Sequence, residues 1–406
     1  MYLAFAWRYF KAKKSANAIN IIAWVTTAVI AFATCCQVLV LSVFNGFEDL
    51  VKSLYSSFYT DLKIIPSSGK TFVLSTHQLA QIKKQPYVKD VSMIVQEKAL
   101  LQNGEAQTVV NLKGVDEEFV KVSGIAAKIT AGKYNTGTTD EPGLIVGYGL
   151  QNAASIMVNE AFQPEVLTLI LPKKNSSSSD PTSSISEGNA VAFGVFTIQQ
   201  DFDNNYAITN IGFLKQQMAL AANEFTAAEI KLQEGQDIEV CKLLVQKLMS
   251  ESYQVQSRYE QNMSLYNTMR LEKWAIYAVL TLILIIAAFN MVSALTMLVL
   301  EKNKDISILQ SMGAKKSTIQ KIFLSEGLLL GCIGGGSGIL LAVLICWLQI
   351  NFKLIKLQGG SFLIDYFPVK LIASDFLLVA ATSIAIAVLA SLVPSLKASH
   401  QPIELR

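Results

Sequence analysis

The chain has 406 residues, of which 51% are hydrophobic and only 16% charged, with a formal net charge of +3. This is too apolar for an ordinary soluble domain, so an integral membrane protein with no nucleic-acid partner is expected. In chain order, a basic flank (1–18) with Arg8, Lys11, Lys13 and Lys14 precedes a first apolar run at 19–44. At 26 residues and without an A-x-A site after it, this run reads as an uncleaved membrane anchor and not as a signal peptide.

Residues 47–273 follow as a soluble, mildly acidic domain. Further apolar runs lie at 274–300, 322–350 and 376–396, each long enough for the roughly 20 residues that cross a hydrocarbon core as a helix. Between them lie a basic segment at 301–321, a short connection at 351–375 and a tail at 397–406. Lys353, Lys356 and Lys370 leave the connection's own charge undecided, but the summed excess of Lys and Arg puts both ends and the 301–321 segment in the cytoplasm. The expected fold is an α-helical membrane protein with four transmembrane helices, N-in and C-in. A large extracytoplasmic α+β domain of two lobes is inserted between helices 1 and 2.

Inside that domain, strands are expected at 62–65 and 88–95 around a helix at 76–84, then a hairpin of 99–102 and 106–112 about Asn103-Gly104. Strands at 227–233 and 253–257 flank a helix at 238–249, with Ile238, Cys241, Leu244, Val245 and Leu248 on one face. The strand-helix-strand pattern at each end predicts one lobe built from both chain ends. A second lobe is inserted between them, with strands at 143–146, 166–171 and 190–198 and a helix at 150–157. Residues 172–188, rich in Ser, Pro and Asn, read as a loop, either a plain linker or a docking segment. Cys241 alone lies in this domain, so no internal disulfide holds it; Cys35, Cys36, Cys332 and Cys346 fall in apolar runs as small packing residues.

The two histidines, His77 and His400, stand on opposite sides of the membrane with no metal-ligand spacing around either. Gly313-Ala314-Lys315-Lys316-Ser317 lacks the glycine loop of a phosphate-binding motif, so no ATP hydrolysis by this chain is expected. Gly331, Gly334, Gly335 and Gly338, together with Gly336, give two G-x-x-x-G pairs in the third run, a spacing for close helix packing. Glu326, about one turn inside the boundary, reads as an interfacial carboxylate able to snorkel or to pair with Lys321; a proton relay is the rival reading.

The segment EKNKDISILQSMGAKK, residues 301–316, reads as a helix with Ile306, Leu309 and Met312 on one face and Ile308 beside them. Lys302, Lys304, Lys315 and Lys316 lie at its ends. The pattern fits equally a helix lying on the inner leaflet and one seated in a partner's groove.

Here the motifs carry a resemblance. Residues 301–338 resemble the signature of the FtsX-like permease family: an acidic-Ile-x-Ile-Leu-x-x-x-Gly-Ala helix, Phe-x-x-Glu-Gly, and a glycine-rich span. The ending is also similar, with Pro394, Lys397-Ala398-Ser399, Pro402 and Leu405-Arg406. Ser42-Val43-Phe44-Asn45-Gly46-Phe47, before an amphipathic helix, resembles the start of Lol-type lipoprotein-releasing permeases. Leu112-Lys113-Gly114-Val115-Asp116 and Gly143-Leu144-Ile145-Val146-Gly147 resemble motifs of the MacB-like periplasmic domain. Departures are Asp305 for the usual Glu, Ser307 for Gly and Gln310 for a base.

The resemblance implies an ABC transporter permease of the bacterial inner membrane, not itself an enzyme, paired with a second copy or a paralogue on a cytoplasmic ATPase dimer. ATP and Mg would then bind to that separate subunit, with no cofactor in this chain. It further implies that Glu301, Lys302, Asp305, Ile306, Leu309, Met312, Gly313 and Ala314 couple to the ATPase by mechanical relay. For a Lol-type member, the cargo would be a lipoprotein in the outer leaflet, handed to a periplasmic carrier. An apolar cleft for such cargo, open to membrane lipids, is expected between the first and second spans near Val40, Val43, Phe44, Phe47 and Ile276. The alternatives are a MacB-type exporter of toxins or peptides, an FtsX-like regulator of cell-wall hydrolases, and a membrane receptor without transport.

Overall fold

The computed structural model describes residues 17–158, 165–174, 184–357 and 366–401. The basic flank with Arg8, Lys11, Lys13 and Lys14, most of the serine-rich loop, and Pro402, Leu405 and Arg406 lie outside them. Two compact units divide the chain, one of Met1–Leu50 with Asn267–Arg406 and one of Val51–Tyr266.

Helix α1, Asn17–Phe58, is 42 residues long. At about 1.5 Å per residue it measures roughly 63 Å, twice a hydrocarbon core of about 30 Å. The apolar run ends at 44, and the amphipathic helix expected after Phe47 continues it without a break. The reason is periodic, because Phe47, Leu50, Val51, Leu54, Tyr55 and Phe58 keep helical spacing beyond the apolar run. Gly46 does not interrupt it, since it is needed for close approach: a Cβ there would strike the backbone of Pro368.

Among the described residues, the outer unit contains twelve strands. They are β1 (Leu62–Pro66), β2 (Phe72–Val73), β3 (Val88–Asn103), β4 (Ala106–Val115), β5 (Ile129–Gly132) and β6 (Gly143–Gly147). Then come β7 (Val166–Pro172), β8 (Ile185–Phe196), β9 (Tyr206–Asn210), β10 (Glu224–Phe225), β11 (Ala227–Leu232) and β12 (Tyr253–Ser257). Its longer helices are α2 (Thr76–Lys83), α3 (Ile211–Met218) and α4 (Ile238–Leu248). The main sheet runs β12-β1-β11-β3-β4-β9-β6-β8-β5, and β7 pairs with both β3 and β8, curling the middle strands into a partial barrel.

Strand β3 decides this topology. Its 16 residues pair with β11 near the start and with β4 and β7 further along, so the chain-end strands and the insert form one sheet and not two separate lobes. The sequence split β3 at Gln96-Glu97-Lys98, because three polar residues in a row look like a break. They stay in the ladder opposite Lys113, Leu112 and Asn111, with Glu97 reaching Lys70 at 3.0 Å. Leu101, Leu112, Leu144, Leu167, Leu169 and Ala192 fill the barrel, while Leu62, Ile64, Val91, Ile230, Cys241 and Val245 form a second core under α2 and α4. Of the five apolar residues assigned to one face of α4, Leu244 and Leu248 are exposed. The helix packs on the edge strand β12, which covers only the Cys241/Val245 side. Strand β8 begins at Ile185, so the serine-rich loop is shorter than its composition suggested.

In the helical unit, α5 (Met263–Glu301), α6 (Asn303–Ser311), α7 (Lys316–Phe352) and α8 (Ala373–Ser399) complete the chain. Among the described residues, α1, α5, α7 and α8 are the four helices long and apolar enough to cross a membrane. Leu282, Ile286, Phe289, Leu340, Trp347, Leu377 and Leu389 are exposed on them, an apolar surface suited to cover by lipid or another protein. Their shared core holds Ile30, Met291, Leu295, Phe323, Leu330 and Ala387.

The glycines of α7 form two stripes toward two different neighbours. Gly327, Gly331 and Gly335 lie against Ser391, Ala387 and Ser383 of α8, small residue to small residue at every step of four. Gly334 and Gly338 lie against Thr27, Ile30, Ala31 and Thr34 of α1. Gly336 faces open space. Glu326 is buried and does not snorkel to the surface.

Candidate functional site

The 301–316 segment folds as α6, closed by a glycine turn. Gly313 has φ +90°, its N–H donates to the Gln310 carbonyl at 2.9 Å, and the Ala314 N–H donates to the Leu309 carbonyl at 2.9 Å. These are the two bonds of a Schellman cap, which explains the Gly-Ala pair in physical terms. Lys302 and Asp305 form an ion pair at 3.0 Å across one turn. Gly313→Val is expected to cost about 1–2 kcal/mol through the left-handed backbone it must adopt, while Gly313→Asn stays near wild type. Thermal unfolding midpoints of the detergent-solubilised chain give the comparison.

The face differs from the one read off the helical wheel. Ile306 is only 2% exposed and packs into the helical core with Leu298, Val299, Ile319 and Phe323. Ile308 is 59% and Met312 80% exposed, with Leu309 half-buried between these extremes. Ile306 is therefore the anchor of the segment, and Ile308 and Met312 are the apolar residues it presents. A lone segment cannot tell which side its own bundle covers, so the wheel placed Ile306 on the free side.

Val40, Val43, Phe44 and Phe47 form one stripe on α1, with Val40 exposed and the other three half-buried. The Phe47 ring meets Phe367 edge-on at 5.8 Å. Ile276 is half-buried on α5, next to Tyr277, which packs on a cluster containing Val38 and Leu41. Between the same two helices, Gln37 Nε2 donates to Thr281 Oγ1 at 3.1 Å.

The outer domain's motifs take structural roles. In Leu112-Lys113-Gly114-Val115-Asp116, Lys113 is 2% exposed and its Nζ reaches both carboxylate oxygens of Glu229, at 2.8 and 3.0 Å. The rings of Phe119 and Phe58 lie 4.6 and 4.9 Å from that ammonium. Burial pushes the Lys113 pKa down, and Glu229 opposes this by favouring the charged form. Gly114 admits the Leu214 side chain of α3, and Asp116 accepts from Ser92 Oγ at 2.6 Å and from the Met93 N–H at 2.8 Å. A polar cavity of about 170 Å³ adjoins the ion pair, lined by Lys63, Gln96, Tyr59, Tyr206, Gln256 and Gln261 among others. Sequence reasoning missed the pair, because β4 also carries Gln107 and Asn111 and β11 also carries Lys231, so neither Lys113 nor Glu229 stands out along its strand.

In Gly143-Leu144-Ile145-Val146-Gly147, a Cβ at Gly147 would strike the backbone of Asp203. Burial raises the Asp203 pKa to about 6, against the lowering effect of the Ile198 and Gln199 N–H groups. The sign follows from proton binding: between about pH 4 and 6 the folded state holds the proton and the unfolded state releases it, so stability falls as pH rises through that window. Asp203→Asn should flatten this slope, as measured by thermal unfolding of the full chain from pH 4 to 7.

Residues 23–163 match the MacB-like periplasmic core domain, and residues 277–403 match the FtsX-like permease C-terminal domain. These two matches make the chain similar to the FtsX-like permeases. The chain is 28% identical to the lipoprotein-releasing system transmembrane protein LolC of Neisseria meningitidis, over 98% of this chain and 96% of the relative. With LolE of Haemophilus influenzae, it shares 25% identity over 98% and 97% of the two chains. A macrolide export ATP-binding/permease protein, MacB of Bartonella quintana, is 21% identical over 71% of this chain and 42% of its own length.

Proposed function

We propose that this chain is the non-catalytic permease subunit of an ABC transporter that releases lipoproteins from the outer leaflet of the bacterial inner membrane. One observation carries the reading: likeness to lipoprotein-releasing permeases runs end to end, through one span, an outer domain and three further spans, in a single order. In this reading both chain ends and α6 lie in the cytoplasm, as the distribution of Lys and Arg supports. A separate ATPase holds ATP and Mg, and its closure acts on α6 through Glu301, Lys302, Asp305, Leu309, Met312, Gly313 and Ala314, with Ile308 added and Ile306 as the inward anchor. The movement passes along the spans as a mechanical relay to a second permease copy or paralogue and to the outer domains. Val40, Val43, Phe44, Phe47 and Ile276 form one wall of the apolar cleft that takes acyl chains, and a soluble periplasmic carrier accepts the cargo.

Depleting the protein and fractionating the membranes tests the reading. Lipoproteins are expected to accumulate in the inner membrane, and normal sorting would overturn it. The MacB-like outer domain favours a second reading, export of small toxins or peptides. Normal lipoprotein sorting together with raised macrolide sensitivity would favour that one.

A further inference from the structure

Asn45 of the Ser42-Val43-Phe44-Asn45-Gly46-Phe47 motif is 2% exposed on an apolar helix, and a buried amide costs free energy unless its groups are paired. Here both are paired. Its Nδ2 donates to Asp375 Oδ2 at 2.7 Å on α8, and its Oδ1 accepts from Lys273 Nζ at 2.9 Å on α5. Lys273 closes the triangle on Asp375 at 3.0 and 3.2 Å. Three helices distant in sequence thus share one charge-assisted network, stronger than neutral hydrogen bonds. Beside it, the Lys370 N–H donates to the Ser42 carbonyl at 3.0 Å, the Lys370 side chain pairs with Asp49, and Gly46 lets the Pro368 backbone sit against α1.

The register gives this network a mechanical meaning. Asn45 meets Lys273, and eight residues away Gln37 meets Thr281, as antiparallel helices without slippage require. Eight residues are about 12 Å of helix, so α1 and α5 are joined by side-chain bonds at two levels. At the outer level α8 joins them.

We propose that Asn45, Lys273 and Asp375 are positioning residues that clamp α1, α5 and α8 into one rigid body, and that this clamp stays closed throughout the ATP cycle. A hydrogen-bonded triad with its partners in place is costly to open, because losing Lys273 or Asp375 leaves the buried Asn45 amide with an unsatisfied group. Movement started at α6, which follows α5 directly, is then delivered at the clamp without being lost in bending between helices. The inference rests on the ABC-permease reading but not on the identity of the cargo.

The test uses the full permease–ATPase complex with its native cysteines replaced. Asp49→Cys and Lys370→Cys, an exposed pair beside the triad that leaves Asn45, Lys273 and Asp375 in place, are joined by a short bifunctional thiol reagent, with and without ATP and vanadate. Equal cross-linking yields in the two states, and retention of at least half the lipoprotein release after cross-linking, are expected. A yield that drops with nucleotide, or release lost on cross-linking and restored by a cleavable reagent, would mean that the clamp opens and would overturn the proposal. In the other direction, Asp375→Asn and Lys273→Met are expected to keep ATPase activity within twofold while release falls at least tenfold. Unchanged release in both would also overturn it. If the unmodified complex releases no lipoprotein, the cargo assignment fails, while the nucleotide dependence of the cross-link still decides the clamp.

Discussion

Glu229→Gln or Lys113→Met alone is expected to destabilise the outer domain by about 3–5 kcal/mol, because each leaves a buried charge without its partner. The double replacement Lys113→Met with Glu229→Leu is expected to recover most of that loss. Desolvating two charges offsets most of the Coulomb attraction they gain, so an apolar pair of similar volume is close to neutral. The surroundings favour this outcome, since Phe58 and Phe119 already flank the ammonium and would pack against a methionine. Denaturant unfolding of the full chain, followed by fluorescence of its outer-domain tyrosines, gives the coupling energy through a double-mutant cycle. A double variant as unstable as the worse single one would show that the pair itself, and not the unpaired charge, carries the stability.

On the proposed reading that α6 docks on a cytoplasmic ATPase, Ile308→Asp with Met312→Asp is expected to abolish co-purification of that ATPase while leaving the chain folded. Fully burying two such side chains in a groove contributes about 1.5–3 kcal/mol each. Losing both corresponds to a fall in affinity of more than 100-fold. Ile306→Asp serves as the contrast, because it places a carboxylate in the helical core and should lower the yield of the permease itself. Wild-type ATPase recovery with the double aspartate variant, in the presence of well-folded protein, would remove α6 as the coupling element.

These expectations show how sequence and structure divide the work. The four spans, the soluble domain and the glycine spacing were legible because each depends on local composition and periodicity. A run of about 20 apolar residues or a G-x-x-x-G pair signals its environment without knowledge of its neighbours. The Gly-Ala of the 301–316 segment was legible as a motif, and its Schellman bonds supply the reason. The strand β3 was cut short because Gln96, Glu97 and Lys98 break the apolar pattern, whereas a ladder depends on backbone pairing and tolerates polar side chains where they find polar surroundings, as Gln96 does in the cavity beside Lys113.

By itself, the sequence determined which segments are apolar enough to enter a membrane, where strands and helices concentrate, and that residues 301–316 form an amphipathic helix. Tertiary structure alone decided which side of that helix is free, which neighbour each glycine stripe meets, and which charges lie together. Ile306 and Met312 look alike on a helical wheel, yet one is buried and the other exposed. Asn45, Lys273 and Asp375 are separated by up to 330 positions and carry no local mark of their partnership. The physical reason is the same in each case: hydrophobic periodicity is a property of one segment, whereas burial, charge pairing and close packing are properties of the surfaces that segments present to one another.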